Sequence, residues 1–243
     1  GAVGRIPFLV PVKWEDGWPV LGIDGKVPAT LDLPANKSLS PGIVDSDDFD
    51  RKAGQAALPL AWQWNHNPVV DLWSVTERSG FLRLRTGDLT DDFLSAKNTL
   101  TQRTIGPSCS AAIAVEVSNM KDGDFAGLSL LQKDYGLVGV RMEGNTKSLV
   151  MINAMTGAPQ ELAKINLKQQ RIFLKANCDF SNKKDTAQFF YSTDGHHWKM
   201  IGNVLKMSYT IPHFMGYRFG LFNYASKEAG GYVDFDYFHL TIN

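Results

Sequence analysis

Hydrophobic and polar residues alternate along most of the chain, in short runs that are separated by turn residues. In residues 171–175 (RIFLK) and 81–85 (FLRLR), the branched aliphatic side chains recur at every second position. Because successive side chains of a strand point to opposite faces, this period of two indicates half-buried strands. Asp194 and Gly195 separate two such runs and predict a hairpin turn, since glycine adopts positive φ at low cost.

About a dozen strand-like runs follow one another at this spacing, and helical periodicity is nearly absent. The pattern therefore predicts an all-β fold, a two-sheet antiparallel β-sandwich of jelly-roll type with a short irregular N-terminal segment. Residues 1–33 are rich in Pro, Gly and Trp and read as irregular or short-stranded. Residues 34–46 carry linker chemistry, with two prolines and three serines. The strand-rich region spans residues 47–243.

The amino-acid composition argues against two classes of partner, nucleic acids and membranes. The 243 residues carry 25 basic and 25 acidic side chains, so the formal net charge is zero and a nucleic-acid partner is not expected. Apolar stretches are strand-sized and no polybasic run occurs, so no membrane partner is expected either. The compartment stays open, with an extracellular or periplasmic one slightly favoured. Cys109 and Cys178 share parity with apolar residues, which predicts buried thiols and leaves a disulfide between them open.

The acidic residues do not form a recognisable catalytic motif. Glycosidases need two carboxylates held about 5–10 Å apart in a cleft. The adjacent acidic pairs at 15–16, 47–48 and 91–92 would point to opposite faces of a strand, so each reads as a solvated turn or loop. Serine-hydrolase, zinc-protease and nucleotide-binding motifs are also missing from the sequence. We therefore predict that this chain has no catalytic residues and is inactive alone.

The last strand-like run predicts a structural metal site. Asp236 shares the parity of Phe238 and Leu240, which would carry its carboxylate into the core. A buried carboxylate is costly unless it is paired or bound to a metal. A calcium ion held by Asp236, by Asp48 on the opening strand (with Asp47 as the alternative) and by backbone carbonyls would satisfy this requirement. The alternative is a carboxylate that accepts hydrogen bonds from loop amides.

Aromatic residues interleaved with amides form the usual surface for reading sugars, because rings stack on sugar faces while amides bond hydroxyl groups. Trp62 and Trp64 lie beside Gln63, Asn65 and Asn67. The other candidates for contact with a sugar are Gln132, Tyr135 and Asn223. The alternative for each ring is a place in the core. A few exposed rings would support only weak binding, roughly millimolar to tens of micromolar.

These residues also carry a resemblance to a known family. Residues 62–68 (WQWNHNP) and 73–86 resemble the C-terminal domain of family 43 glycoside hydrolases, which include β-xylosidases and α-L-arabinofuranosidases. Further stretches agree in the same order, at residues 125–128, 191–198, 218–221 and 233–238. The resemblance spans residues 47–243 and implies a concanavalin-like jelly roll that is similar to a xylan-binding module. Residues 11–19 look like the closing segment of the family's five-bladed catalytic β-propeller, which implies that residues 1–33 are its tail.

The resemblance also implies roles in a larger enzyme. The family's catalytic carboxylates lie upstream in the propeller, and their motifs are missing from this sequence. Arg5, in a Gly-Arg pair, matches an arginine that reaches the substrate pocket, and Phe125 matches an aromatic residue at the pocket rim. The resulting hypotheses are an accessory part of a xylan-degrading hydrolase, an independent module that binds xylan or xylo-oligosaccharides, and a structural lid without a glycan site. The partners implied are xylan and the propeller of the same enzyme.

Overall fold

The structure is a computed structural model that describes residues 1–33, 42–52, 54–55, 57–155, 158–211, 213 and 215–242. The predicted linker at 34–46 therefore falls largely outside the described residues. The chain divides into two compact units: residues 5–41 form one, here called the hairpin unit, and residues 1–4 with 42–243 form the other, here called the sandwich unit. No helix in the described part of the chain is long and apolar enough to cross a membrane.

The described residues form sixteen strands and three short 3-10 helices. The strands are β1 (Val12–Glu15), β2 (Trp18–Leu21), β3 (Gln63–Trp64), β4 (Trp73–Ser74), β5 (Leu82–Arg85), β6 (Leu100–Arg103), β7 (Ser108–Asn119), β8 (Asp124–Leu131), β9 (Gly136–Glu143), β10 (Thr146–Asn153), β11 (Gln160–Asn166), β12 (Arg171–Asp179), β13 (Thr186–Ser192), β14 (Lys199–Lys206), β15 (Arg218–Ala225) and β16 (Tyr232–Ile242). The 3-10 helices are Val70–Leu72, Phe93–Ser95 and Ser181–Lys183.

In the hairpin unit, β1 and β2 pair in antiparallel register from Val12 opposite Leu21 to Glu15 opposite Trp18. Asp16 and Gly17 form the turn with φ of 49° and 81°, the positive pair that a two-residue hairpin requires. All eight strand residues are exposed to solvent. This unit is a small two-stranded ribbon with an apolar surface.

The sandwich unit contains two seven-stranded antiparallel sheets. The first sheet has the order β11-β10-β9-β8-β15-β6-β3, and the second sheet has the order β14-β13-β12-β7-β16-β5-β4. Side chains on their facing sides form the main core, which contains the predicted inward residues Leu82, Leu84, Ile172 and Leu174. The predicted all-β, two-sheet jelly-roll fold is confirmed.

The first sheet is also covered on its outer face. All eight residues of β8 are buried, although a sheet with one solvated face would expose every second residue. Along β15, Phe219 and Leu221 belong to the main core, whereas Phe222 and Tyr224 belong to a second apolar cluster. Because these two sets alternate along the strand, the second cluster lies on the outer face. It is called the outer cluster below.

Candidate functional site

The outer cluster occupies the sheet face on which several predicted sugar contacts lie. Phe93 is its centre, 1% exposed, with its ring centroid 4.8 Å from Tyr135, 5.2 Å from Phe222 and 6.4 Å from Tyr224. Phe125 packs edge-on against Phe222 at 5.4 Å. The rings thus pack against one another, and Phe93 is supplied by the loop 87–98 that covers the sheet.

Side chains of the 87–98 loop and its neighbours hold this loop in place. Asp92 caps the 3-10 helix by accepting the amide of Leu94 at 3.0 Å and the hydroxyl of Ser95 at 2.6 Å. The carbonyl of Leu94 lies 2.7 Å from Nε2 of His66. Asn98 forms two bonds with the backbone of one residue, Val69, at 2.7 and 3.0 Å. The loop 87–98, which covers the outer cluster, is therefore an ordered part of the fold.

Two clefts flank Tyr224 at the margin of the outer cluster. The larger, here called the Asn223 cleft, has a volume of about 240 Å³. Its lining includes residues 87–90, 95–98, Val69, Leu72, Arg85, Asn223 and Tyr224. The smaller cleft, about 210 Å³, is lined by residues that include Asp91, Phe125, Arg141, Glu143 and Lys227. These clefts are the candidate ligand-sized spaces of the sandwich unit.

The structure brings three of the predicted sugar contacts to this region. Tyr135 and Phe125 are 6% and 2% exposed and belong to the outer cluster. Burial raises the pKa of the Tyr135 hydroxyl to about 12. The guanidinium of Arg141 lies 4.7 Å from the ring of Phe125, which it covers from the side of the smaller cleft. Asn223 is 3% exposed and lines the larger cleft. Their roles in sugar contact stay predictions.

The other predicted contacts lie elsewhere in the sandwich unit. Trp62 is 6% exposed, belongs to the main core and donates from Nε1 to Asp47 at 2.9 Å. Trp64 is partly buried, with its ring 5.1 Å from that of Trp73. Gln132 is fully buried and donates to the carbonyl of Met215 at 3.0 Å. These three side chains are therefore engaged with the protein itself.

Arg5 lies in the hairpin unit, where its residue is exposed. Its role as a substrate contact stays a prediction.

The two aspartates predicted to bind calcium both have cationic or imidazole partners. Asp236 pairs with Arg171, and Oδ1 of Asp48 lies 2.7 Å from Nε2 of His239. Among the described residues, no group of three or more His, Cys, Asp or Glu side chains is arranged to hold a metal. The carboxylates of Asp236 and Asp48 are thus paired with Arg171 and His239, and the calcium site stays a prediction.

A β-bulge explains why Asp236 differs from the expected alternation. In the pairing of β16 with β7, Phe235 lies opposite Val115 and Tyr237 opposite Ala114, so Asp236 is the extra residue. Phe235 and Phe238 consequently both reach the core. The bulge leaves Asp236 31% exposed at its side chain instead of buried with Phe238.

The buried carboxylate of the last strand is Asp234, which the sequence reasoning missed. Asp234 is 3% exposed and accepts bonds from Nε of Arg83 at 2.7 Å and from Arg78 at 3.0 Å. Charge-assisted bonds from arginine offset the cost of burying such a group. The arginines that alternate with leucines in residues 81–85 were the sequence feature from which a cationic partner for Asp234 could have been predicted.

Asp124 is a second buried carboxylate that the sequence reasoning missed. It is fully buried; Oδ2 accepts the amide of Lys121 at 2.8 Å, and Oδ1 has no partner among the described residues. Burial raises the pKa of Asp124 to about 6, against the smaller opposing effect of the Lys121 amide. An added Cβ at Gly231 would lie 1.8 Å from Oδ2, so glycine is required there.

Both cysteines are free and buried, as their parity predicts. Cys109 on β7 lies directly opposite Cys178 on β12. The two thiols sit in the main core.

The strand order and the core between two antiparallel sheets define a concanavalin-like β-sandwich. The chain belongs to the family described as the β-xylosidase C-terminal concanavalin A-like domain, whose model matches residues 46–241. It is 30% identical to a β-xylosidase of Formosa agariphila over 97% of the chain and 42% of that protein. A putative β-xylosidase of Xylanibacter ruminicola is 31% identical over 85% of the chain and 37% of its own length. The chain thus spans about two fifths of these relatives.

Solved structures give the same result. A bifunctional GH43-CE protein of Bacteroides eggerthii is 60% identical, with a TM-score of 0.95 over all of this chain and 31% of its own. An engineered GH43 enzyme with endo-xylanase and exo-arabinofuranosidase activity is 30% identical, with a TM-score of 0.89 over 50% of its own chain. The predicted resemblance to family 43 glycoside hydrolases is confirmed.

Proposed function

We propose that this chain is the non-catalytic accessory part of a xylan-degrading glycoside hydrolase of the β-xylosidase or arabinofuranosidase type. In this proposal the sandwich packs against a catalytic five-bladed propeller of the same enzyme and helps to complete its substrate pocket. The observation that carries the proposal is the family match over residues 46–241 in a chain that spans 42% of a related β-xylosidase.

The burial of the predicted sugar contacts favours a pocket-completing or lid role over an open glycan platform. Trp62 lies in the main core, and Phe125 and Tyr135 lie in the outer cluster. Rings that bind sugars from solution must present one face to solvent. The side chains proposed to read xylan in an open groove are instead packed within the protein.

The hairpin unit supports a role in packing against another protein surface. Its large apolar side chains are exposed, with Trp14 at 71%, Trp18 at 75% and Phe8 at 69%. Trp14 pairs with Pro19 and Trp18 with Glu15, so the two rings lie on opposite faces of the ribbon. Large exposed apolar side chains of this kind mark protein contacts in soluble proteins. We assign this surface to the catalytic propeller, and Arg5, at the start of the same unit, is the proposed contact with substrate in the intact enzyme.

The proposal is tested by reconstitution. The purified chain should not hydrolyse an aryl xyloside, and addition of the separately produced catalytic domain in trans should give activity that exceeds that of the catalytic domain alone. The double variant Trp14→Ala/Trp18→Ala should weaken this effect at least tenfold. Leu60→Ala, at a residue that is 93% exposed in the sandwich unit, is the matched control and should behave as the parent chain does.

Hydrolysis by the chain alone would contradict the proposed absence of catalytic carboxylates. An unchanged effect in the tryptophan variant would contradict the assignment of the hairpin surface.

A second candidate function is direct binding of xylan or xylo-oligosaccharides. The observation that favours it is the Asn223 cleft at the margin of the outer cluster, which has a volume of about 240 Å³ and is lined by both aliphatic and hydroxyl-bearing side chains.

A further inference from the structure

Arg218, at the start of β15, carries a guanidinium group that has no carboxylate partner among the described residues. Its side chain shares the parity of Phe222 and Tyr224, so it lies on the outer face of the first sheet. The side chain is half-buried, and its Nη2 donates to the side-chain oxygen of Gln63. Nε is closed off from solvent and Nη1 is not, and neither atom has a partner in the described part of the chain. The group therefore retains an unused donor that can be reached from outside.

A second arginine lies directly opposite the first. In the pairing of β15 with β6, Arg103 is the partner of Arg218, so both side chains lie on the same face of the sheet. Like charges in this position are destabilising. Burial and the charge of Arg103 lower the pKa of Arg218 to about 10. These two residues are called the arginine pair below.

The other arginines of the sandwich unit show what the arginine pair lacks. Each of the six others forms a salt bridge with an Asp or Glu side chain, namely Arg51, Arg78, Arg83, Arg85, Arg141 and Arg171. All 25 Asp and Glu residues of the sequence lie within the described ranges, and none of those in the sandwich unit pairs with Arg103 or Arg218. A carboxylate partner can therefore come only from outside the sandwich unit.

The arginine pair lies beside the residues that lead into the hairpin unit. The amide of Tyr217 donates to the carbonyl of Ala2 at 2.9 Å. Gly4 approaches Gly216 so closely that a Cβ added to Gly4 would lie 2.8 Å from the amide nitrogen of Gly216. The hairpin unit begins at the next residue, and its surface is the one assigned above to the catalytic propeller. Arg218 thus lies close to the point at which the chain continues into that unit.

We propose that the arginine pair binds the carboxylate of an Asp or Glu side chain on the catalytic domain of the same enzyme. Guanidinium groups bind carboxylates through paired, charge-assisted hydrogen bonds, and such a partner would offset the repulsion between the two arginines. The choice of partner rests on the proposed function. The position beside the joint and the burial of Nε favour an acidic residue held by another domain over a free acid, which offers the same carboxylate chemistry.

The main test compares stability with association, because an interface arginine and a structural arginine affect the two differently. Arg218→Met keeps the apolar stem and removes the charge. The melting temperature of the isolated variant should equal or exceed that of the parent chain, since an unpaired, half-buried charge is lost. Its affinity for the separately produced catalytic domain, measured by isothermal titration calorimetry, should be at least about tenfold lower, because a carboxylate is left unpaired in the interface.

Further variants separate this charge from charge in general. Arg103→Gln should weaken association in the same direction as Arg218→Met. Lys199→Gln, at an exposed residue of β14, removes one positive charge elsewhere and should bind as the parent chain does. Association of the parent should weaken between about 50 and 500 mM NaCl, and the double variant Arg103→Gln/Arg218→Met should show a smaller salt effect, since screening acts on the paired charges.

A second experiment tests the site without the catalytic domain. Sodium acetate is titrated into the 243-residue chain at constant ionic strength, with neutral acetamide as the control, and the NMR signals of Arg103 and Arg218 are followed. We expect saturable shifts with acetate, with a dissociation constant on the order of 10–100 mM, and none with acetamide. D-glucuronate, titrated in the same way, represents a sugar acid and should bind no tighter than acetate.

Absence of saturable shifts with acetate would overturn the carboxylate site. An unchanged affinity of Arg218→Met for the catalytic domain would overturn the choice of partner, and a fall of several degrees in its melting temperature would then assign Arg218 a structural role. Glucuronate that binds at least about tenfold tighter than acetate would overturn the proposal in favour of a sugar acid.

The accessory role is read separately from the hydrolysis assay. If Trp14→Ala/Trp18→Ala loses the effect on hydrolysis and the arginine variants keep it, the accessory role stands and the arginine pair is excluded from the interface. Failure of the parent chain to bind the catalytic domain would contradict both proposals.

Discussion

The buried carboxyl group of Asp124 should make the stability of the sandwich unit depend on pH. Burial raises its pKa from 3.8 to about 6. Below about pH 3 the group is protonated in both the folded and the unfolded chain and adds no pH dependence. Between about pH 3 and 6 the unfolded chain releases its proton first, so folding stability falls as pH rises. The shift amounts to about 3 kcal/mol, at about 1.36 kcal/mol per pH unit, and is complete above about pH 6.

Asp124→Asn removes this titration while it keeps the size of the side chain. The assay is urea unfolding of both proteins at pH 4 and pH 7. We expect the stability of the variant relative to the parent to be about 2.4 kcal/mol more favourable at pH 7 than at pH 4, because the carboxyl group of the unfolded chain is already partly ionised at pH 4. A constant cost of the buried amide cancels in this difference. Glu77 and Asp179, whose partners lower their pKa values to about 2, have the opposite pH dependence, but they are present in both proteins and cancel too.

A relative stability that does not change between the two pH values would refute the reasoning. It would mean that the carboxylate of Asp124 is as well solvated in the folded chain as in the unfolded one.

Three further predictions concern the core, the thiols and the metal. Phe93→Ala should lower the free energy of unfolding by about 3–5 kcal/mol, because it empties the centre of the outer cluster. The control Leu89→Ala, at an exposed position, should lower it by under about 1 kcal/mol. Urea unfolding of the two variants and the parent chain measures both effects. Both cysteines should react with a thiol reagent only after denaturation, and loss of both free thiols in the denatured chain would reveal a disulfide. Because Asp48 and Asp236 already have partners, removal of divalent metal with EDTA should leave the melting temperature unchanged; a fall of several degrees would instead support calcium.

The sheets could be predicted because the alternation that defines a strand is local. Leu82 and Leu84, or Ile172 and Leu174, carry the period of two within a few residues, and the structure buries each of them. The hairpin at Asp194 was predictable for the same reason, since turn chemistry depends on adjacent residues.

The places of individual aromatic rings could not be predicted in this way. Tyr135 directly precedes β9, and nothing near it in sequence distinguishes a core ring from a sugar-binding ring. Its burial depends on Phe93, which precedes it by more than forty residues and reaches it only through the folded loop. The position of Asp236 depended likewise on a bulge, which shifts the facing of every later residue by one and leaves no mark in the alternation before it.

The free energies of ring stacking and of loop opening decide how a sugar could approach the first sheet. Stacking on one aromatic ring of the outer cluster would gain about 1 kcal/mol. To expose that ring, the loop 87–98 would have to lift, and removing Phe93 from the cluster would forfeit about 1.5–3 kcal/mol of burial before any loop hydrogen bonds are counted. Two stacked rings would therefore barely repay the opening. A sugar that binds this region must therefore enter beside the loop, at the Asn223 cleft.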